Sequence, residues 1–69
     1  MKLNKELLDQ DIIPNQFWIK VDIHGNGDEW LLAIISGGVT PVIVFPQCGN
    51  FEDFVENFIG HEIVPIYKP

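Results

Sequence analysis

The chain has 69 residues, a single cysteine, ten acidic residues against four lysines and no arginine, and a net charge of −6. That length suits one domain and no more; one cysteine excludes an internal disulfide; and so few cations argue against direct nucleic-acid binding, which needs clustered Lys and Arg. No apolar run approaches the ~18 residues of a membrane span and the N-terminus carries no signal-peptide pattern, so the expectation is a cytoplasmic protein. A domain this small buries only about 60% of its unfolded surface, and no Cys/His cluster offers a zinc staple. Assembly or partner binding is the remaining aid to stability.

Residues 1–14 read as a short helix and an exit segment. Asn4 caps a helix over Lys5–Asp11 that presents Leu7 and Leu8, with Leu3 beside them, and Pro14 pushes Ile13 out of the helical region. Such a helix is marginal unless it docks.

From Gln16 to His24 the pattern alternates. Phe17, Ile19, Val21 and Ile23 point one way, and Trp18, Lys20, Asp22 and His24 the other, which predicts a first strand. Asn26-Gly27 favours a two-residue hairpin turn. Glu29 to Ser36 is a second strand, apolar on both faces; Gly37-Gly38 predicts another tight turn, and Val39 to Phe45 a third strand. These turn centres pair Val21 with Leu32, Ile19 with Ile34, Leu32 with Ile43 and Ile34 with Pro41. One face is then wholly apolar. The second face carries Trp18, Leu31, Ala33, Ile35, Val42 and Val44, fringed by Lys20, Asp22, His24 and Thr40.

In Asn50–Gly60, Phe51, Phe54, Val55, Phe58 and Ile59 recur at the spacing of a core-facing helical stripe. Asn50 suits an N-cap and Gly60 a stop, and Glu52, Asp53 and Glu56 would form the outward acidic face. His61 to Lys68 reads as a fourth strand. A right-handed strand–helix–strand connection returns it parallel to the first and third strands, and Pro41 and Pro65 belong in edge strands, since central ones cannot spare an N–H. The expected fold class is α+β: a four-stranded mixed sheet of order 3-2-1-4, built β-β-β-α-β, with a short N-terminal helical segment. It forms one domain over 1–69, with the sheet and helix in 15–69.

Phe45-Pro46, Gly49 and the acidic pair Glu52-Asp53 give this arrangement a local likeness. It resembles half of a ribonuclease-H-like sheet and the N-terminal domain of HicB-family antitoxins, a fold-level analogy that implies no activity.

Chemistry-bearing residues are sparse. Asp22 to Glu29 begins like a calcium loop with Gly27 at its sixth position, but the twelfth position is Ala33 where a bidentate Glu is required. Cys48 would need a histidine and an orienting group; His61 is expected at the far end of the helix, and His24 nearer, since the first and third strands end on the same side. Ser36-Gly37-Gly38-Val39 joins two strands, with no helix behind it to make a phosphate loop. No catalytic residue, cofactor or metal ligand is assigned, and no enzyme is expected.

Function is therefore expected on surfaces. The second sheet face is too apolar to leave in water as one patch, so either the N-terminal helix covers it through Leu3, Leu7 and Leu8 or another chain does. The expected partner-binding residues are Trp18, Leu31, Ile35 and Val42 on that face, and Glu52, Asp53 and Glu56 on the acidic helix. Together they describe a small acidic protein-interaction module, an inhibitor or regulator that binds a basic surface of a protein partner. Small accessory proteins of phages and mobile elements share this profile. The alternative is a structural homo-oligomer or subunit, a homodimer included, assembling through the second face or the edge strands, with a small-ligand binder or enzyme as the third choice.

Overall fold

The computed structural model describes residues 1–9, 15–37 and 39–65. Among these, β1 (Gln16–Val21), β2 (Glu29–Ser36), β3 (Val42–Phe45), β4 (Phe51–Phe54) and β5 (Ile63–Val64) form one sheet in the order β4-β3-β2-β1-β5. Every pairing is antiparallel. Helix among the described residues is confined to α1 (Lys5–Asp9) and two 3-10 turns, Pro46–Cys48 and Val55–Phe58. The molecule is thus sheet-dominated, with more strand and less helix than the pattern predicts.

The expected N-cap of α1 is present: Asn4 Oδ1 accepts the Leu7 N–H at 3.0 Å. The end of the predicted helix at Asp11 and the break at Pro14 lie outside the described residues. Ahead of α1 the chain runs beside β5. The Leu3 N–H donates to His61 C=O at 2.9 Å, Gly60 N–H to Leu3 C=O at 2.8 Å, and Ile63 N–H to Met1 C=O at 2.7 Å. These bonds seat Leu3 in the core at 0% exposure, and Leu7 packs against the same cluster. Both therefore serve the first face of the sheet and not the second, where they were expected. The side chain of Leu8 is outside the described residues.

The alternation of β1 is observed, with Phe17, Ile19 and Val21 buried between more exposed neighbours. The register of β2 differs. Val21 pairs with Glu29, not Leu32, and Ile34 with Val44, not Pro41. Each slip is an odd number of residues, so the first turns β2 over and the second restores β3. Leu31, Ala33 and Ile35 consequently join Phe17, Ile19, Ile43 and Phe45 on the core face.

The turns explain the slips. Asp22 Oδ1 accepts the Gly25 N–H at 2.7 Å, a local side-chain-to-backbone bond that bends the chain, and Gly25 and Gly27 both take positive φ. A longer loop centred on Gly25 replaces the two-residue turn. After β2 only Gly37 of the predicted turn pair is described, at φ +99; Gly38 lies outside the described residues. The third strand begins at Val42, so Pro41 precedes β3 and Pro65 follows β5, flanking their strands.

The predicted helix over 50–60 is a strand and a 3-10 turn instead. Gly49 and Asn50 sit in the left-handed region at φ +66 and +61, a conformation Asn tolerates, and together they fold β4 back onto β3. The Phe, Val, Asn and Asp of this stretch are middling helix formers, and pairing with β3 gives Phe51–Phe54 a ladder of backbone bonds along one side. The apolar stripe divides accordingly. Val55 and Phe58, spaced for one 3-10 turn, are 4% and 5% exposed, whereas Phe51, Phe54 and Ile59 stand 44%, 47% and 42% exposed. With no helical crossover, β5 reaches the expected place beside β1 but runs antiparallel. The likeness to a ribonuclease-H-like half sheet depends on that helix and goes with it.

Two details finish the sheet. Where β3 gives way to Pro46, Gln47 Oε1 accepts the Leu32 N–H at 2.9 Å, so the ladder loses no partner there. At the β4 edge, Val55 N–H donates to Pro41 C=O at 3.2 Å. Antiparallel alternation then turns the Phe54 N–H away from β3, where Asp53 Oδ1 accepts it at 2.8 Å. The core face is roofed by Leu3, Leu7, Val55 and Phe58, with Phe58 set edge-on to Phe45 at 5.4 Å.

Candidate functional site

Among the described residues, a groove where the β1–β2 loop meets the turn after β3 and the outer face of the sheet stand outside the core.

The groove encloses about 580 Å³ and is open to solvent. Val21, Ile23, Phe51 and Phe58 give it an apolar lining, and Asp22, Asp28, Asp53, His24, His61 and Cys48 its polar one. The Cys48 Sγ lies 3.4 Å from His24 Nε2, so His24 is the histidine that meets the thiol, as its strand position suggested. The same Nε2 is 3.6 Å from Glu29 Oε1. A nucleophile–base–acid relay needs the acid on the other ring nitrogen. These three groups therefore do not form such a relay.

His61 lines the groove too, since no helix separates it from Cys48. Its Nδ1–H donates to Lys20 C=O at 3.0 Å, which anchors β1 to the chain entering β5. Two aspartates already have backbone duties. Asp22 holds the Gly25 N–H, and Asp53 Oδ1 takes both the Phe54 N–H and, at 2.9 Å, Asn57 Nδ2. Among the described residues no three His, Cys, Asp or Glu side chains gather into a group that could hold a metal ion.

The outer face carries Trp18 from β1, Trp30, Leu32 and Ile34 from β2, and Val42 and Val44 from β3, all half-buried. Val64 and Phe54 extend it at the two sides, opposite Trp18 and Val42. Lys20 pairs with Trp30, and Glu52 with Val44, so a few polar side chains border it.

Of the expected partner-binding residues, Trp18 and Val42 lie on this face. Leu31, 6% exposed, and Ile35, packed on the core, do not, because β2 is turned over. Glu52, Asp53 and Glu56 do not share a helix face. Glu52 borders the outer face from β4, Asp53 lines the groove, and Glu56 is exposed on the second 3-10 turn. Sequence reasoning missed Trp30, Leu32 and Ile34. The signal that would have found them is the Asp22…Gly25 spacing, which marks a longer loop than Asn26-Gly27 alone.

No helix among the described residues is long and apolar enough to cross a membrane. Compared with known proteins, the chain matches no family model, no curated protein and no solved structure.

Proposed function

We propose that this chain is a small acidic protein-interaction module that regulates or inhibits a protein partner with a basic surface, docking through the outer face of the sheet. The observation that carries this reading is the placement of the N-terminal segment. Leu3 and Leu7 are committed to the core side, leaving Trp30, Leu32, Ile34, Val42 and Val44 only partly buried on the other. A contiguous apolar patch with a polar border is the usual anatomy of a protein interface. The net charge of −6 favours a basic partner by steering its approach.

Trp18 is the expected hot spot, since tryptophan combines large apolar area with one donor. Trp18→Ala should weaken binding by ~2 kcal/mol or more. Glu52→Lys and Glu56→Lys should slow association more than they speed dissociation. The reading assigns no catalytic step.

A homo-oligomer through the same face is the alternative. Self-pairing along the β4 edge is disfavoured, because a two-fold antiparallel pair centred on β4 would set Glu52 against its own copy or Asp53 against its own, and like charges directly opposite destabilise a sheet.

The test is quantitative capture by the immobilised chain alongside Leu32→Ser and Val42→Glu variants, with sedimentation of the free protein from micromolar to millimolar concentration. A basic protein retained by the parent, lost with either variant and released by salt supports the module. Equal retention by all three chains overturns it. Self-association abolished by the same variants transfers the face to the homo-oligomer.

A further inference from the structure

We propose that Cys48 is a modification site: a thiol that undergoes exchange with small, positively charged disulfides, with His24 accepting its proton. The pairing of groups motivates this. Cys48 sits half-buried in the wall of the open groove, and its Sγ is 3.4 Å from His24 Nε2, within reach for proton transfer between them. His24 is itself half-exposed, so the proton it takes can pass on to water.

The groove also selects. Asp22, Asp28, Asp53 and His61 line it, Glu29 stands 3.6 Å from His24, and no lysine is among the described lining residues. An anionic disulfide meets repulsion there, whereas a cationic one is concentrated near the sulfur. Phe51, Phe58 and Val21 offer its short alkyl chain an apolar bed.

The step balances within itself. The thiol proton moves to His24, and the thiolate attacks one sulfur of the incoming disulfide. A Cys48–S–S–R bond forms as the R–S–S–R bond breaks. The departing thiolate takes a proton back from the imidazolium or from water. One disulfide is consumed and one is made, so no further oxidant is required. The reaction is stoichiometric, consistent with an arrangement that lacks the geometry of a catalytic relay.

The experiment follows formation of the mixed disulfide on the full chain by intact mass, using cystamine and glutathione disulfide in parallel. The same chain unfolded in urea supplies the intrinsic reactivity of the thiol. Relative to the unfolded chain, the folded one should favour cystamine over glutathione disulfide by about tenfold, the low end of electrostatic steering. That preference should shrink in high salt and in Asp28→Asn. His24→Gly should slow the cystamine reaction several-fold, and free imidazole should restore part of the rate. A folded chain with the same cystamine preference as the unfolded one overturns the proposal. So does a His24→Gly chain, folded by circular dichroism, that reacts at the parent rate.

Discussion

The two faces of the sheet are built from similar residues but are held in different ways. The core face has a roof. Leu3, Leu7, Val55 and Phe58 lie over Phe17, Ile19, Leu31, Ala33, Ile43 and Phe45, and its buried members are at most 6% exposed. The outer face, with Trp30, Leu32, Ile34, Val42 and Val44, remains only partly buried. Adjacent leucines of β2 therefore do separate jobs, Leu31 in stability and Leu32 at a surface. What distinguishes them is the neighbouring chain laid over each, not their hydrophobicity.

Paired substitutions test that contrast. The largest effect is expected at the roof: Phe58→Ala should destabilise by ~3–5 kcal/mol through the cavity it leaves, whereas Phe54→Ala, at an exposed position, should cost about 1 kcal/mol or less. Chemical denaturation of both variants measures the difference, and equal losses would mean that the two phenylalanines share one stripe after all. Next, Leu31→Ala should cost ~2–5 kcal/mol, well above Leu32→Ala at about 1 kcal/mol; the reverse order in thermal melts would put β2 back in the register with Leu32 inside. Gly37→Ala should cost ~1–2 kcal/mol, because φ is +99 there and a Cβ would stand 3.2 Å from Thr40 O. The smallest effect is expected at the exposed His24–Glu29 pair, 3.6 Å apart, where Glu29→Gln should change stability by no more than ~0.5 kcal/mol.

The same contrast shows what could be read from residues alone. β1 and β3 were placed on the correct face because their neighbours alternate between apolar and polar, or because two odd slips cancelled. β2 was not, since a strand apolar on both sides carries no information about which side is in. Its orientation is set by the Asp22–Gly25 turn, a backbone device with no hydrophobic signature. The segment from Phe51 to Ile59 was misread for a related reason: its helical spacing is real, but the left-handed pair Gly49-Asn50 commits the chain to a hairpin before a helix can start. The Cys48–His24 approach was legible from strand ends, whereas the arrival of His61 in the same groove was not, because it depends on that absent helix.

Asp53, which takes the Phe54 N–H with its own side chain, has a consequence for life at high concentration. An unprotected edge is a template on which further strands add, and amyloid grows by that addition. Here a newcomer must first displace a carboxylate from the bond it needs, then lie along a four-residue edge carrying Glu52 and Asp53. For another copy of this acidic chain the nucleation step is therefore opposed at its first hydrogen bond. The sheet can keep its outer face apolar without offering its flank as a seed.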